Sequence, residues 1–293
     1  MSLAASAAEP RRAAATEPLA ARVGLGLLAV IALVAVAAPW IVPYDPLDQD
    51  LLAINHAPDA AHWLGTDHIG RDVLSRLLIG ARTTLAVGLG GAAAAFVLGA
   101  ALGLAALALG RVTEAIVFGG IDLVRAMPNV LLALLVIVAF GAGLGPVAIA
   151  LGISFAPFFA YVARATYRRE IAQDYVRAAR TFGGSTTHIL RLHVLPNLVG
   201  GLVTQAAILL PRCVVTESVL SFLGLGSSPD APTWGRMVAD ASRYIEAAPH
   251  AAVAPVCALV TLTVSLSLIG DHVRRQLDPL RGVDAQDTRA RAS

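Results

Sequence analysis

The sequence contains no lysine, and all 22 of its basic residues are arginine. A P-loop is therefore excluded, because its phosphate-binding motif requires lysine, and so is a Schiff-base nucleophile. The two cysteines, Cys213 and Cys257, both lie in apolar stretches. This favours small core residues over a disulfide framework or a zinc site. A net charge of only +2 gives no indication of a nucleic-acid partner.

Charge of either sign is scarce, since 14% of the residues are charged and 57% are hydrophobic. Soluble domains carry about 25% charged residues, and the mean hydropathy here is +0.71. Several apolar runs reach the roughly 20 residues that cross a bilayer. We predict an all-α polytopic membrane protein with six transmembrane helices. The predicted spans are residues 23–42, 85–109, a third that contains Pro128 and ends near Phe140, then 146–162, 198–219 and 251–269.

The first apolar run has a competing interpretation as a cleaved signal peptide, since Ala35-Val36-Ala37 resembles a cleavage site. The run is longer than the usual 7–15 residues and further spans follow, which favours a transmembrane helix. The predicted organisation is a disordered cytoplasmic tail, a first span with an outer loop, a core of five spans that includes a cytoplasmic loop at 164–197, and a second cytoplasmic tail. These regions cover residues 1–22, 23–82, 83–272 and 273–293.

The distribution of arginine predicts the orientation of the chain. Six spans place both termini on one side, and fifteen arginines fall on that side. Only five fall in the opposite loops: Arg71, Arg76, Arg82, Arg236 and Arg243. Cytoplasmic loops carry the excess of basic residues. We therefore expect both termini and the loop at 164–197 to be cytoplasmic.

The polar stretch 177–197 and its lead-in contain an apolar pattern of their own. Ile171, Tyr175, Ala178 and Phe182 are spaced four, three and four residues apart, which predicts one shared helical face. A loop that is merely solvated has little need for such residues. The pattern therefore favours an element that docks on a partner over an ordinary surface loop.

Glycine and proline predict where this element begins and ends. Gly183 and Gly184 tolerate the left-handed conformation that ends a helix, and Ser185 is a good N-cap for a second, shorter helix. Pro196 disfavours helical backbone at the preceding residue, so we expect the second helix to end at Leu195. The prediction is a helix, a glycine turn, a short helix and a proline stop.

Four charged residues lie inside the apolar spans: Asp122, Arg125, Arg212 and Glu217. Ionisable groups within a membrane are candidates for function, and these four are our candidates for the translocation path. Asp122 and Arg125 are spaced so that they can pair on one helical face. The alternative is that all four form structural ion pairs between helices or with a partner protein.

The outer loop contains three histidines, His56, His62 and His68, with Asp59 and Asp67 nearby. Their spacing is irregular, and nothing in the pattern fixes a coordination geometry. We therefore predict no metal site here and interpret the histidines as loop residues.

The stretch 177–197 resembles the "EAA" loop of the membrane subunits of ABC importers. That motif is Glu-Ala-Ala, three residues, Gly, nine residues, Ile, one residue and Leu-Pro. The matching positions are Arg177, Ala178, Ala179, Gly183, His193, Leu195 and Pro196. The spacing is intact, while Arg replaces Glu at the first position and His replaces Ile. In that family the loop docks in a groove of the cytoplasmic ATPase, so the resemblance implies an ATPase-coupling loop. We assign it Tyr175, Arg177, Ala178, Ala179, Phe182, Gly183, Gly184, Ser185, Ile189, His193, Leu195 and Pro196.

Three further segments, residues 62–85, 217–240 and 269–279, are similar to the C-type permease of the dipeptide, oligopeptide and nickel branch of these importers. The resemblance implies a type I ABC importer permease fold in a bacterial cell membrane. It also implies ATP-driven uptake of dipeptides or oligopeptides, with no cofactor on this chain and with ATP and Mg²⁺ on partner subunits. The implied partners are a homologous second permease, two ATPase subunits or domains and an extracytoplasmic substrate-binding protein. The chain itself is expected to lie in the lipid bilayer and to bind no nucleic acid.

Other functions remain open at this point. Within the same machine, the cargo could be nickel or a small solute such as glutathione, because cargo choice rests largely on the binding protein. A stand-alone secondary transporter would be expected to show inverted repeats or matching broken helices, and no internal repeat is evident. A membrane-bound enzyme lacks support, since no motif pairs a nucleophile with a base.

Overall fold

The chain is helical almost throughout in the computed structural model, which describes residues 13–226 and 231–277. For residues 13–18, 180, 186, 187 and 193 it describes the backbone alone. Ten α-helices occupy these ranges. They are α1 Ala13–Ile41, α2 Val73–Ala108, α3 Arg111–Ala126, α4 Asn129–Phe140, α5 Leu144–Ile171, α6 Asp174–Thr181, α7 Thr186–Ile189, α8 Leu195–Phe222, α9 Trp234–Ser242 and α10 Pro249–Gln276. A π-helical turn, Leu190–Val194, joins α7 to α8.

Five of the described helices, α1, α2, α5, α8 and α10, are long and apolar enough to cross a membrane. The pair of α3 and α4 is a sixth candidate, although it is bent by 101° at its break. The prediction of an all-α polytopic protein is therefore confirmed, and the third predicted span is a broken one.

The third predicted span is interrupted because of Pro128. Met127 adopts an extended conformation with ψ 139°, as expected for a residue that precedes proline. Pro128 is itself outside the helical region, and α4 begins at Asn129. The third predicted span is therefore two separate helices with a full break between them.

Two predicted boundaries are corrected by the structure. The part of the predicted disordered tail from Ala13 onward is already helical, whereas residues 1–12 lie outside the described residues. The predicted outer loop also ends earlier, because α2 begins at Val73. The cause is a cap: the Asp72 carboxylate accepts the backbone N–H of Ser75 at 2.7 Å and the Ser75 hydroxyl at 2.6 Å. At the other end, α10 reaches Gln276, and residues 278–293 of the second predicted tail are outside the description.

The core of the bundle is the pair α2 and α5, which lie in close contact along their length. Gly99 and Gly103 of α2, which are spaced as a GxxxG, lie against the backbone of α5. A Cβ at Gly99 would lie 2.2 Å from the carbonyl oxygen of Ala156, and one at Gly103 would lie 3.0 Å from that of Ala160. Small residues let two membrane helices approach closely enough for backbone packing. The close packing of α2 against α5 therefore requires glycine at these two positions, where no Cβ is present.

A second group of buried side chains joins α1, α2, α8, α9 and α10. Trp234, at the start of α9, fixes this layer to α2. Its indole N–H donates to the carbonyl oxygen of Leu77 at 2.9 Å, and its backbone N–H donates to Thr84 Oγ1 at 3.1 Å. The segment after α8 is thus folded back onto the bundle.

A buried group of charges, which we call the outer ion cluster, ties the loop before α2 to α9. It consists of Asp67, Arg71, Arg76, Arg236 and Asp240. Asp67 bonds the Arg71 side chain at 2.7 Å and lies 3.6 Å from Arg76. Asp240 lies 3.3 Å from Arg71, 3.8 Å from Arg76 and 3.3 Å from Arg236. The Arg76 side chain is only 2% exposed. Burial of a charge on this scale requires partners, and the two aspartates supply them.

The three loop histidines do not form one group, and each of them contacts a different residue. A ring nitrogen of His62 lies 2.9 Å from the Asp72 carboxylate, and His68 stacks on Tyr244 at 4.8 Å between ring centroids. His56 Nδ1 lies 2.9 Å from the carbonyl oxygen of the next residue. Across the described ranges, no group of three or more His, Cys, Asp or Glu side chains is placed to hold a metal ion.

Candidate functional site

Residues 174–194, which we call the coupling segment, begin with α6 and a glycine turn. Gly183 has φ +84°, in the left-handed region, and the N–H of Gly184 donates to the carbonyl oxygen of Ala179 at 2.9 Å. This is the Schellman arrangement that ends a helix. Ser185 then accepts the backbone N–H of His188 at 3.2 Å. The predicted glycine stop and serine cap are both present.

The underside of the coupling segment is buried against α5. Val176, Ile189 and Val194 are 0–3% exposed and pack with Tyr167 and Ile171 of α5. Three aliphatic side chains withdrawn from water contribute roughly 1.5–3 kcal/mol each. The segment is therefore attached to the end of a membrane-spanning helix as a packed unit.

The predicted apolar face of this segment is wrong in its register. Ile171 belongs to α5, because the helix is interrupted before Asp174 and α6 starts anew. Tyr175 is 44% exposed and Phe182 is 90% exposed, so neither belongs to the packed underside. The predicted face therefore combines Ile171, which packs in the underside, with the exposed Phe182, and Val176 was missed.

The exposed side chains of the coupling segment combine aromatic, aliphatic and cationic groups. Phe182 is almost fully exposed, Leu192 is 59% exposed, and the Arg177 side chain is 71% exposed. Arg177 makes one ion pair, at 3.5 Å, with Asp174, whose side chain is 98% exposed. The side chain of His193 lies outside the described residues. Phenylalanine and arginine are residue types that are enriched in protein–protein interfaces.

The expected proline stop is absent. Leu195 keeps helical angles, φ −59° and ψ −44°, and the backbone passes from α7 through the π turn into α8. The Leu195 N–H donates to the carbonyl oxygen of Leu190, five residues earlier. A π turn widens the helix locally, and this makes room for the proline ring that would clash with a carbonyl four residues back. The short helix and the fifth span are consequently one continuous helix.

A polar contact that the sequence analysis missed links three elements at the base of the coupling segment. The carboxylate of Glu170, at the end of α5, is 6% exposed. It accepts the hydroxyl of Tyr175 on α6, the amide of Asn197 on α8 at 3.0 Å, and Arg169 at 3.1 Å. The bond to Glu170 raises the pKa of Tyr175, because the ionised phenol would lose it. A lone acid among several arginines was the only signal in the sequence.

Of the four charged candidates, Asp122 and Arg125 meet at a shared residue on α5. Asp122 accepts the hydroxyl of Tyr161, and the Arg125 guanidinium lies 4.6 Å above the Tyr161 ring. One turn away, Glu114 of α3 accepts Arg164 at 2.6 Å. These contacts attach α3 to α5. No ion pair joins Asp122 to Arg125 in the described ranges, so the expected pairing within one helix is replaced by contacts between helices.

Arg212 and Glu217, both on α8, lie in different environments. Glu217 is 1% exposed and accepts the hydroxyls of Ser221 at 2.7 Å and Ser218 at 3.2 Å. Arg212 is exposed and lines a groove of about 510 Å³ beside the α3–α4 break. The structure does not bring the two charges together, and only Arg212 is open to a ligand.

The long apolar helices of the bundle define a multi-pass membrane protein. The exposed coupling segment lies at one end of this bundle. Two family descriptions match it: residues 95–281 match the binding-protein-dependent transport system inner membrane component, and residues 20–58 match the N-terminal TM domain of oligopeptide transport permease C. The chain belongs to this family of ABC importer permeases. It is therefore an inner-membrane transport subunit rather than a catalytic one.

Among curated relatives, the chain is 35% identical to the glutathione transport system permease protein GsiD of Pectobacterium atrosepticum, over 89% of this chain and 87% of that one. It is 35% identical to the di/tripeptide transport system permease protein DppC of Pseudomonas aeruginosa, over 87% and 86%. The probable D,D-dipeptide transport system permease protein DdpC of Escherichia coli is 32% identical over the same shares.

Two solved structures share the fold. The chain is similar to an inward-facing MetNI methionine ABC transporter, with a TM-score of 0.55, 24% identity and coverage of 69% of this chain and 96% of that one. An amino acid ABC transporter gives a TM-score of 0.56, 15% identity and coverage of 69% and 94%. At these identities the likeness shows the fold alone.

Proposed function

We propose that the chain is the permease for a peptide cargo, a dipeptide or short oligopeptide that includes the glutathione type. Support comes from the relatives, whose names specify glutathione, di- or tripeptides and D,D-dipeptides. Nickel is the weaker alternative, and no relative named above carries it. The proposed complex contains a homologous second permease, which supplies the other half of the path, and an extracytoplasmic binding protein that delivers the cargo.

In this proposal the coupling segment docks on an ATPase subunit, which binds the ATP and Mg²⁺. The observation that carries the proposal is the contrast within one segment: a buried underside attached to α5 and an outer side where Phe182 is 90% exposed. An aromatic side chain this exposed costs solvation free energy unless a partner covers it. A docked segment would move with the ATPase and carry α8 with it, because the helical backbone is continuous.

The proposed orientation places both termini and the coupling segment in the cytoplasm. The arginine excess on that side supports it. The outer ion cluster would then face the binding protein's side of the membrane, together with the loop before α2. Cysteine accessibility provides a direct test: in permease that is produced without the ATPase and with the exposed Cys257 replaced by Ser, Phe182→Cys should react with an impermeant maleimide only after the cell membrane is opened.

The docking proposal is tested by Phe182→Ala in the complete complex. The side chain makes little contact with its own chain, so the variant should insert and fold normally. Truncation of an interface anchor costs about 2 kcal/mol or more, and we expect ATPase affinity to fall about 30-fold. The assay is binding of the purified ATPase subunit to permease in nanodiscs, together with peptide uptake.

The matched control is Leu109→Ala at the end of α2, which truncates a side chain that is 71% exposed outside the coupling segment. It should leave both readouts unchanged. Normal ATPase affinity in Phe182→Ala would refute docking through this segment. Cargo is tested separately, by competition of labelled peptide uptake with unlabelled di- and oligopeptides and with Ni²⁺; inhibition by Ni²⁺ alone would overturn the peptide assignment.

A further inference from the structure

Arg212 is a cation in the interior of a membrane-spanning helix. It lies well within α8, Leu195–Phe222, and its side chain is exposed at the surface of the bundle. In the described part of the chain it forms no hydrogen bond and no ion pair. An arginine at such a depth is costly when it faces lipid, and it normally faces water, a cavity or a charged partner.

The surroundings of Arg212 form a groove with few polar groups. Around Arg212, the walls are mostly apolar, with Phe155 of α5 and Pro211 and Val215 of α8 among them. Three hydroxyls interrupt this apolar lining: Thr216 of α8 and Thr263 and Ser267 of α10. Arg212 is the one charged group among the described lining residues. The groove therefore has a single positive charge with hydroxyl donors around it and an apolar wall behind.

The α3–α4 break opens directly into the same groove. Pro128, Asn129 and Val130 line it, at the point where the helical backbone stops and α4 begins. Pro128 has no N–H, and no side chain caps the first turn of α4. Broken helices commonly line the substrate path of transporters. The break adds partial positive charge to the site that Arg212 defines, but the assignment below rests on Arg212 and the hydroxyls.

We propose that this groove receives an anionic group of the cargo during passage, and that for a peptide this group is the terminal carboxylate. Arg212 supplies the charge, and Thr216 and Thr263 supply hydroxyl donors. Guanidinium is suited to carboxylate because its donors match the two oxygens. The apolar wall at Val215, which is 45% exposed, is available to the adjoining side chain of the peptide. This inference rests on the proposed peptide function and makes Arg212 a specificity-determining residue.

The competing arrangement is an ion pair between Arg212 and an acidic residue of the second permease. The two arrangements predict different dependence on cargo charge. If Arg212 binds the cargo, removal of its charge should matter only for cargo that carries the carboxylate. If Arg212 pairs with the other permease, its removal should weaken assembly and slow every cargo alike.

The test uses the whole complex in proteoliposomes, with its binding protein and with trialanine or trialanine amide as cargo. Each variant is compared with wild type on the same cargo. For Arg212→Gln we expect trialanine uptake to fall about 10- to 100-fold, the range for loss of a hydrogen bond to a charged group. Amide uptake should change less than about twofold. For Arg212→Lys, which keeps the charge, the rate of trialanine uptake should lie between the rates of wild type and Arg212→Gln.

Arg243→Gln is the matched control, since it makes the same substitution in an exposed loop arginine after α9 that does not line the groove. Equal slowing of both cargoes by Arg212→Gln, or loss of the second permease on purification, would overturn the inference and favour the ion pair. If the wild-type complex does not transport trialanine amide, the test is the order of the trialanine uptake rates. We expect wild type to be fastest, Arg212→Lys to be slower and Arg212→Gln to be slowest, and any other order counts against the proposal. Failure of wild type to carry trialanine would instead contradict the peptide function.

Discussion

Asp240 holds the outer ion cluster together, and its replacement should cost more than the loss of any one arginine there. Asp240 lies within 3.8 Å of Arg71, Arg76 and Arg236, and Asp67 is the second anion of the cluster. Two carboxylates thus form ion pairs with three guanidinium groups, which leaves one positive charge in excess. Asp240→Asn leaves all three cations with one anion, whereas Arg76→Gln leaves a balanced cluster.

The expected magnitudes follow from burial. Loss of one partner from a buried ion pair costs about 3–5 kcal/mol. The Asp240 side chain is 20% exposed, so we take the lower end, about 3 kcal/mol for Asp240→Asn. For Arg76→Gln we expect about 1 kcal/mol, since the lost bonds are replaced by a neutral amide and the charge excess is removed. At roughly 2–3 °C per kcal/mol, Tm should fall by about 6–9 °C and 2–3 °C respectively.

The assay is thermal unfolding of the purified protein in one detergent at pH 7 and constant ionic strength. The double variant Asp240→Asn with Arg236→Gln removes the anion together with one excess cation, and it should recover about half of the lost Tm. A Tm loss for Arg76→Gln as large as that for Asp240→Asn would refute the charge-balance reasoning. So would a double variant that is less stable than Asp240→Asn alone.

Two further predictions concern packing and pH. Gly99→Leu should prevent folding, because even a Cβ at this position would lie 2.2 Å from the Ala156 carbonyl oxygen. The measurement is the loss of monodisperse protein. Gly119→Ala should be neutral, because a Cβ at Gly119 would meet no atom within 4 Å. The Tyr175 hydroxyl stabilises the fold only while protonated, and its pKa is raised by Glu170. The stability difference between wild type and Tyr175→Phe should therefore hold at neutral pH and vanish as the pH rises through the raised pKa, above the ordinary value of 10.0; a difference independent of pH would contradict this bond.

Local chemistry accounts for the parts of the fold that the sequence predicted well. The turn at Gly183 was predictable because a left-handed residue at a helix end favours glycine. The close approach at Gly99 and Gly103 has the same kind of local basis, a four-residue spacing of small residues with a direct steric meaning. Both features depend on a few neighbouring residues and on no distant partner.

The errors arise where two local rules compete or where the partner is remote in sequence. Pro128 and Pro196 look alike in sequence, yet one breaks a helix and the other follows a π turn that packs against α5. The contacts of Glu170 with Asn197 join residues 27 positions apart. No spacing rule connects them, so the base of the coupling segment was not predictable.

The continuity of the helix from residue 186 to residue 222 has a mechanical consequence. At about 1.5 Å of rise per residue, this rod is roughly 55 Å long and exceeds the thickness of a bilayer. A tilt imposed at the end near residue 186 would displace the other end in the opposite direction, with Arg212 carried along between them. The backbone hydrogen bonding of the rod changes at the wide π turn and again at Pro211, which has no N–H to donate, so any bending should concentrate at these two points.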